Sequence, residues 1–485
     1  MARTCVARAA IISSALLLVG CANPLDGPDQ QLEARTVKVE DDLARQWRLD
    51  TVRDLDSGSN PAAEAEGQAV ALPALGPDSS LGDYVRYASL NNAQLEAAFA
   101  LWKAALERLP QVRALPDPMF TFGAVVQRVN MDTGTEEFMF GLAQMFPWFG
   151  KLELQEGVAA REAEAAFEMF RGQRLGAINA VRDAWYDRAG LEHEIRITRE
   201  NIELVGQLER TARARYASGA AIHPDVVRLQ IELEKLSEQL RTFEDRRRPI
   251  DGRLNATLNR PADAPVEGDF ALPDAVLDAD GAAIAASLRE HNPDLRAAVQ
   301  RIEAGRLATK LARTTALPDF TLGLDYTAVA DASRPGINDN GVDPIVASVS
   351  INVPVWREKY DAAVREAIAR RYAEMRGRAD LENELSAQIE QTLYDYRASQ
   401  RQIVLYRDTL LPKATQALEA TLSAYQSGTA TFLDLLEAQR ELLDFELMHI
   451  RALTSRARHL ALLDRLVGTD LPRITDANQP GGSDS

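Results

Sequence analysis

The chain has 485 residues, of which 46% are hydrophobic and 26% charged, and a formal net charge of -17. This composition excludes a disordered chain and a helical membrane bundle, and the acidic excess disfavours a nucleic-acid-binding protein, which needs a basic surface. The 2 cysteines exclude a disulfide scaffold, and the 5 histidines disfavour a dedicated His/Cys metal site.

The N-terminus carries the features of a bacterial export signal. Arg3 and Arg8 precede a short apolar run that is too short to span a bilayer as a helix. Small residues then lead to Cys21, an arrangement similar to the bacterial lipobox, in which the cysteine is lipidated and becomes the mature N-terminus. The alternative is an ordinary signal peptide that contains a cysteine. We predict a lipoprotein signal at residues 1–20 and a lipid-anchored segment at residues 21–80.

The rest of the chain is an internal duplication. Four short motifs recur in the same order at nearly constant offsets of about 200 residues, a period too long for a solenoid. The matching pairs are Asn92 with Asn292, Leu115-Pro116-Asp117 with Leu317-Pro318-Asp319, Pro147 with Pro354, and Tyr216-Ala217-Ser218-Gly219 with Tyr425-Gln426-Ser427-Gly428. We therefore predict one ancestral half used twice.

The predicted boundaries follow this duplication. The first repeat covers residues 81–258, a Pro/Asp-rich connection covers 259–281, and the second repeat covers 282–471. The polar tail at 472–485 is predicted to be disordered. Each repeat should contain a helix, two strands, a very long helix, a tight turn and a return helix.

The two predicted strand pairs alternate apolar and polar residues, so each strand has one apolar face. The apolar positions are Phe120, Phe122, Ala124, Val126, Phe138, Phe140 and Leu142 in the first repeat, and Phe320, Leu322, Leu324, Tyr326, Ile345, Ala347, Val349, Ile351 and Val353 in the second. A half-buried sheet in a soluble domain would show the same pattern, but the export signal favours a transmembrane sheet. Four strands cannot close a barrel, so several chains must pool theirs, eight from a dimer or twelve from a trimer.

The predicted long helices lie at residues 151–219 and 360–428, the second interrupted by Pro412, which should kink it. Each would extend roughly 100 Å if continuous. The first return helix carries one heptad seam, Val226, Leu229, Leu233, Leu236, Leu240 and Phe243. The second carries two adjacent seams, one through Leu435, Ala438, Leu442 and Phe445 and one through Leu436, Leu443, Leu447 and Ile450. Two seams indicate neighbours on both sides, as in a closed cylinder of helices, whereas a simple antiparallel coiled-coil hairpin would bury one.

Together these features resemble the TolC-like family of outer-membrane factors, or outer-membrane efflux proteins, in its lipoprotein branch. The resemblance runs over about residues 81–471 and is most specific at residues 425–439, Tyr-Gln-Ser-Gly-Thr-Ala-Thr-Phe-Leu-Asp-Leu-Leu-Glu-Ala-Gln, which look like the second periplasmic tip turn of the family. Residues 216–230 look like the first. The implied fold is mainly α with a transmembrane β-barrel portion. The implied homotrimer has a twelve-stranded β-barrel continuous with a twelve-helix α-barrel.

The resemblance implies a passive exit duct without enzymatic activity or cofactor. It would lie in the outer membrane, anchored in its lipid, with a long periplasmic extension, as the channel of a tripartite efflux system. The implied partners are a periplasmic adaptor, also called a membrane fusion protein, and an inner-membrane pump of the RND type. A type I secretion exit duct and a periplasmic coiled-coil adaptor or scaffold lipoprotein remain alternatives, and the cargo stays open.

The resemblance places a gate at the two tip turns. Asp434 and Glu437 match the acidic positions of the closed entrance in the family, and Asp225 lies at the matching place in the first repeat. Three copies would form a carboxylate ring, although Thr431 and Asp434 also have capping-box spacing, and one carboxylate can serve both roles.

Other tip residues follow from the same resemblance. The further gate residues are Tyr216 and Tyr425, and those expected to receive the adaptor are Ser218, Gly219, Ser427 and Gly428. The family often has a basic residue where this chain has Ala430, and that residue helps to lock the closed gate. Arg215 or Arg228 could take its place.

Overall fold

The computed structural model describes residues 72–126, 134–219, 222–331 and 341–475. The predicted signal, Cys21 and most of the leader lie outside the described residues. The two repeats share one order of elements, except that the short helix Arg108–Arg113 and the strand Arg473–Thr475 have no counterpart and the second long helix is divided. Those of the first repeat are α1 (Leu81–Asn91), α2 (Ala93–Leu106), α3 (Arg108–Arg113), β1 (Met119–Ala124), β2 (Thr135–Phe146), α4 (Lys151–Ala217) and α5 (His223–Thr257).

A short strand, β3 (Ala275–Leu277), lies in the connection. The elements of the second repeat are α6 (Gly281–His291), α7 (Pro293–Thr314), β4 (Phe320–Ala330), β5 (Ile345–Ile351), α8 (Arg357–Leu405), a π-helical turn (Tyr406–Leu410), α9 (Leu411–Ser427), α10 (Phe432–Val467) and β6 (Arg473–Thr475).

The repeated asparagines interrupt the first predicted helix of each repeat. Asn92 accepts a hydrogen bond from Leu95 N at 3.0 Å, and Asn292 accepts one from Leu295 N at 2.9 Å. Each asparagine therefore caps a new helix, α2 or α7, so that a single predicted helix becomes two or more. The recurrence of this residue marks a helix start.

The two long helices differ in continuity. Helix α4 runs unbroken for 67 residues, whereas its counterpart divides into α8 and α9. The break is a π-helical turn that ends one residue before Leu411, and Pro412 follows in the first turn of α9. Because proline lacks an N–H and its ring clashes with the preceding turn, the interruption falls where the sequence predicts a kink.

The main sheet is antiparallel, in the order β1-β2-β4-β5. Its register places Phe122 opposite Phe140, Phe140 opposite Tyr326, and Leu324 opposite Ala347. The predicted apolar positions that lie within the strands therefore fall on one face, while the other carries mostly small and polar residues such as Thr321. The strands end earlier than predicted, so Val126 and Val353 lie just beyond β1 and β5. The predicted alternation is confirmed, and it is continuous across both repeats.

The apolar face is exposed in the single chain. Phe120 is 66% exposed, and Val349 is 71% exposed. Within the described residues, β1 and β5 each pair on one side only and leave two open sheet edges. An open edge offers unpaired backbone donors and acceptors to another strand.

The long helices form a layer in the order α5, α4, α10 and α8 with α9. The predicted seam of α5 joins one core cluster with Leu435, Leu436, Leu443 and Leu447 of α10. Helix α10 contacts α4 on one side and α8 and α9 on the other, so the prediction of two neighbours is confirmed. Among the helices that the structure describes, none combines the length and apolarity needed to cross a membrane.

The prediction of a disordered tail from residue 472 is wrong at its start. Strand β6 pairs antiparallel with β3, and Ile474 lies opposite Val276, which is buried. Asp464 also accepts hydrogen bonds from Leu471 N at 2.9 Å and from Arg473. Polar composition concealed this pairing because the partner strand lies almost two hundred residues earlier.

Candidate functional site

The two tip turns have the backbone shape that their glycines predict. Gly219 has φ +75° and Gly428 has φ +81°, and a Cβ at either position would meet nothing within 4 Å. Glycine is therefore required by the left-handed backbone conformation, and not by a lack of space for a side chain. The adjacent hydroxyls close the helix ends: Ser218 Oγ donates to Arg215 O at 2.9 Å, and Ser427 Oγ donates to Ala424 O at 3.0 Å.

Arg215 ties the first repeat to the turn of the second. Its Nη1 donates to Tyr425 O at 2.7 Å and to Gln426 O at 3.2 Å, and its guanidinium lies 4.7 Å from the centroid of the Tyr425 ring. The accepting carbonyls lie at the C-terminus of α9, where the helix dipole favours a cation. Of the two arginines that the sequence offered in place of Ala430, only Arg215 makes this connection.

Tyr425 lies at the centre of a small cluster. It is 7% exposed and packs edge-on against Phe432 with ring centroids 6.1 Å apart. Burial raises the pKa of Tyr425, while the positive charge of Arg215 lowers it and the negative charge of Asp225 raises it. Arg215, Tyr425 and Asp225 are called the tip cluster below.

The remaining candidates lie outside the tip cluster. Tyr216 is exposed, with its ring centroid 5.3 Å from that of His223. Arg228 places Nη1 3.8 Å from Asp225 Oδ1. The two tyrosines therefore occupy unlike environments although they share a sequence motif.

Asp434 forms the predicted capping box. Its carboxylate accepts hydrogen bonds from Thr431 Oγ1 at 2.7 Å and Thr431 N at 2.8 Å, while Asp434 N donates to Thr431 Oγ1 at 3.3 Å. The hydroxyl and the backbone N–H of Thr431 hold the pKa of Asp434 below its ordinary value, so the group is charged at neutral pH.

The three candidate acids do not share one environment. Asp434 and Glu437 are exposed and lie three residues apart, on neighbouring positions of one helix face. Asp225 is buried and belongs to the tip cluster. The equivalence of Asp225 with Asp434 in the sequence therefore does not extend to their surroundings.

Polar contacts inside the helix layer were not predicted from the sequence. Gln439 donates to Asn201, joining α10 to α4, and both are buried. Glu232 accepts from Arg440, joining α5 to α10. In the sequence, these contacts are indicated only by polar residues that lie next to the heptad seams. In the described part of the chain, no three His, Cys, Asp or Glu side chains are grouped as metal ligands.

A one-sided four-stranded sheet joined to two long helical hairpins is the fold of outer-membrane channels. The structure of the outer membrane protein VceC of Vibrio cholerae matches it with a TM-score of 0.66 and 21% identity, over 80% of this chain and 96% of that one. A model of the outer membrane efflux protein family matches residues 85–260 and 284–469. The chain belongs to this family, as the resemblance to TolC-like factors predicted.

Two relatives match most of the chain at low sequence identity. Nodulation protein T of Rhizobium leguminosarum bv. trifolii is 22% identical over 82% of this chain and 88% of the relative. The pyoverdine export outer membrane protein OpmQ of Pseudomonas aeruginosa is 23% identical over 89% of this chain and 90% of the relative. The family and the fold are those of channels rather than enzymes.

Proposed function

We propose that three copies of this chain form a passive exit duct in the outer membrane, anchored by lipid at Cys21. The supporting observation is the open sheet, whose one face is apolar and exposed and whose β1 and β5 edges have no partner strand among the described residues. In lipid the apolar face is in a favourable environment, but the unpaired backbone N–H and C=O groups of the two edges have no hydrogen-bond partners. The edges must therefore pair with other copies. Three copies would close a barrel of twelve strands.

The helix layer supports the same assembly. It too ends in two open sides, with Val227 and Ile231 exposed on α5, and Tyr394 and Val404 exposed on α8. Packing α5 of one copy against α8 of the next buries both sides and closes a cylinder of twelve helices. Sheet and helices therefore need the same neighbours.

We further propose that the duct completes a tripartite efflux system with a periplasmic adaptor and an inner-membrane pump of the RND type. The family assignment supports an efflux channel over the alternative of an adaptor, and the relative OpmQ is named as a pyoverdine export protein. The turns at Gly219 and Gly428 are the proposed adaptor contacts, because each turn lies at the tip of one helical hairpin.

The proposed function is tested with the purified full chain in detergent and in planar bilayers. We expect a trimer by mass in detergent and low ion conductance in bilayers. We also expect the gene to restore resistance to exported compounds when it is introduced into an efflux-deficient host. A monomer that stays soluble without detergent would contradict the proposal.

We propose that Arg215 holds the entrance closed. Arg215→Ala removes two hydrogen bonds and a ring contact from the turn of the second repeat, so the single-channel conductance should rise several-fold. Arg213→Ala is the matched control, because Arg213 pairs with Glu209 on its own helix. Equal conductance of the two variants would exclude Arg215 as the latch.

The exposed acids should set cation binding at the entrance. The Asp434→Asn/Glu437→Gln double variant removes up to six carboxylates from the trimer, and blockade by a trivalent cation should weaken by at least about tenfold. Thr431 remains the N-cap, and the amide oxygen of asparagine can still accept from Thr431 N, so the fold should survive. Glu441→Gln, at an exposed position further along α10, should leave blockade unchanged. Unaltered blockade in the double variant would place the binding site elsewhere.

A further inference from the structure

A partly buried ion pair closes the junction where β2 passes into α4. Lys151 Nζ lies 2.6 Å from Asp319 Oδ1 and donates to Leu317 O at 3.1 Å, and Trp148 N donates to the same carboxylate oxygen at 2.7 Å. Lys151 is only 7% exposed. Asp319, which lies just before β4, therefore holds Lys151, the first residue of α4. Helix α4 follows β2, the strand that pairs with β4.

The internal repeat contains the same two charges without their pairing. Asp117 precedes β1 within the repeated Leu-Pro-Asp motif, as Asp319 precedes β4. Arg357 is the first residue of α8, which follows β5, as Lys151 is the first residue of α4. The two correspond as helix starts, since Arg357 follows Pro354 by three residues and Lys151 follows Pro147 by four. Asp117 and Arg357 are exposed, and neither forms an ion pair with any residue that the structure describes.

These charges cannot meet within one chain. They lie beside β1 and β5, the two outer strands, with β2 and β4 between them. Three strand spacings separate the outer strands by roughly 14 Å. Pairing therefore requires a second copy whose β1 lies beside β5.

The repeat also predicts how those strands would align. The motif offsets superimpose the β1–β2 hairpin on the β4–β5 hairpin, so that Phe122 opposite Phe140 corresponds to Leu324 opposite Ala347. The observed pairing of β4 with β2, in which Leu324 lies opposite Leu142, can then be transferred to the subunit boundary. It places Phe122 of one copy opposite Val349 of the other, both on the apolar face.

We propose that a second copy of this chain docks its β1 on β5 in this register and that its Asp117 receives Arg357. The intersubunit ion pair repeats the one between Lys151 and Asp319. The occupant of the open edge is another copy because both free charges and both free edges belong to this chain and are complementary. This inference rests on the proposed trimer and specifies its boundary.

The register is tested by disulfide cross-linking of the full chain. It places Thr121 opposite Ser350, so Thr121→Cys/Ser350→Cys should give covalent dimers and trimers on a non-reducing gel after mild oxidation. Thr121→Cys/Ser348→Cys is the matched control, because it keeps the same face and shifts the pairing by two residues. The single variants Thr121→Cys and Ser350→Cys show whether any cross-link forms through Cys21 instead. A stronger ladder from the control pair would overturn the register.

The ion pair is tested by charge reversal. Asp117→Arg and Arg357→Asp should each lower the temperature at which the trimer dissociates in detergent, and the double variant should recover at least roughly half of that loss. Lys359→Asp is the control, since Lys359 lies two residues beyond Arg357 and places Nζ 5.5 Å from the Tyr360 ring centroid. No recovery in the double variant, or recovery only when Asp117→Arg is combined with Lys359→Asp, would overturn the assignment.

Measuring the mass of the protein in detergent distinguishes a failure of this inference from a failure of the proposed trimeric duct. A trimer that does not cross-link through Thr121→Cys/Ser350→Cys contradicts this inference and leaves the duct intact. A monomer contradicts the proposed function itself.

Discussion

Replacing Leu324 with Arg is expected to stop the protein from assembling in the outer membrane. Leu324 lies within β4 on the apolar face, between Leu142 and Ala347. A cationic side chain at the middle of a membrane strand costs about 2–4 kcal/mol, and a trimer would contain three of them. The measurement is the amount of heat-resistant trimer in the outer-membrane fraction.

Thr321→Arg is the matched control. Thr321 belongs to the same strand but to the opposite face, which would line the lumen of the proposed barrel. An arginine there meets water, so assembly should continue and only conduction should change. If the Leu324 and Thr321 variants assemble equally well, the assignment of the apolar face to lipid is wrong.

Gly468→Ala is expected to cause the largest loss of stability among single methyl additions to the helical part. Gly468 ends α10 with φ +93°, and a Cβ there would lie 2.5 Å from His291 O and 2.9 Å from Asn292 Cα. Backbone atoms cannot rotate away, so the connection between α6 and α7 must move. We expect a loss of several kcal/mol, or failure to fold.

Gly428→Ala separates the two contributions to that loss. Gly428 has φ +81° but nothing within 4 Å of a Cβ, so alanine pays only the conformational cost of about 1 kcal/mol. Thermal unfolding in detergent, followed by circular dichroism, should therefore show a much larger shift for Gly468→Ala. Equal shifts in the two variants would mean that contact with His291 is unimportant.

The sequence predicted the elements that depend on neighbouring residues. The alternation from Phe320 to Tyr326, the seam from Val226 to Phe243 and the turn at Gly428 each follow from a local period or a local backbone angle. The capping box of Thr431 and Asp434 is equally local, since its hydrogen bonds span three residues. These predictions were correct because each pattern specifies its own conformation.

The candidate site was predicted less completely. The sequence located both tip turns, but it did not separate buried Asp225 from exposed Asp434, nor choose Arg215 over Arg228 as the link to Tyr425. Burial and hydrogen bonding depend on which helices lie side by side. That order is set by packing over the whole layer.

By itself, the sequence determined the duplicated helix–strand–helix units, the two-faced strands and the tight turns, because each is encoded by residues a few positions apart. Only the tertiary structure decided the sheet order that joins β2 to β4, the pairing of β3 with β6, and the contact of Arg215 with a turn more than two hundred residues later. Those features bring together segments that are distant along the chain, and their partners are selected by the combined packing of the helix layer and the register of the sheet.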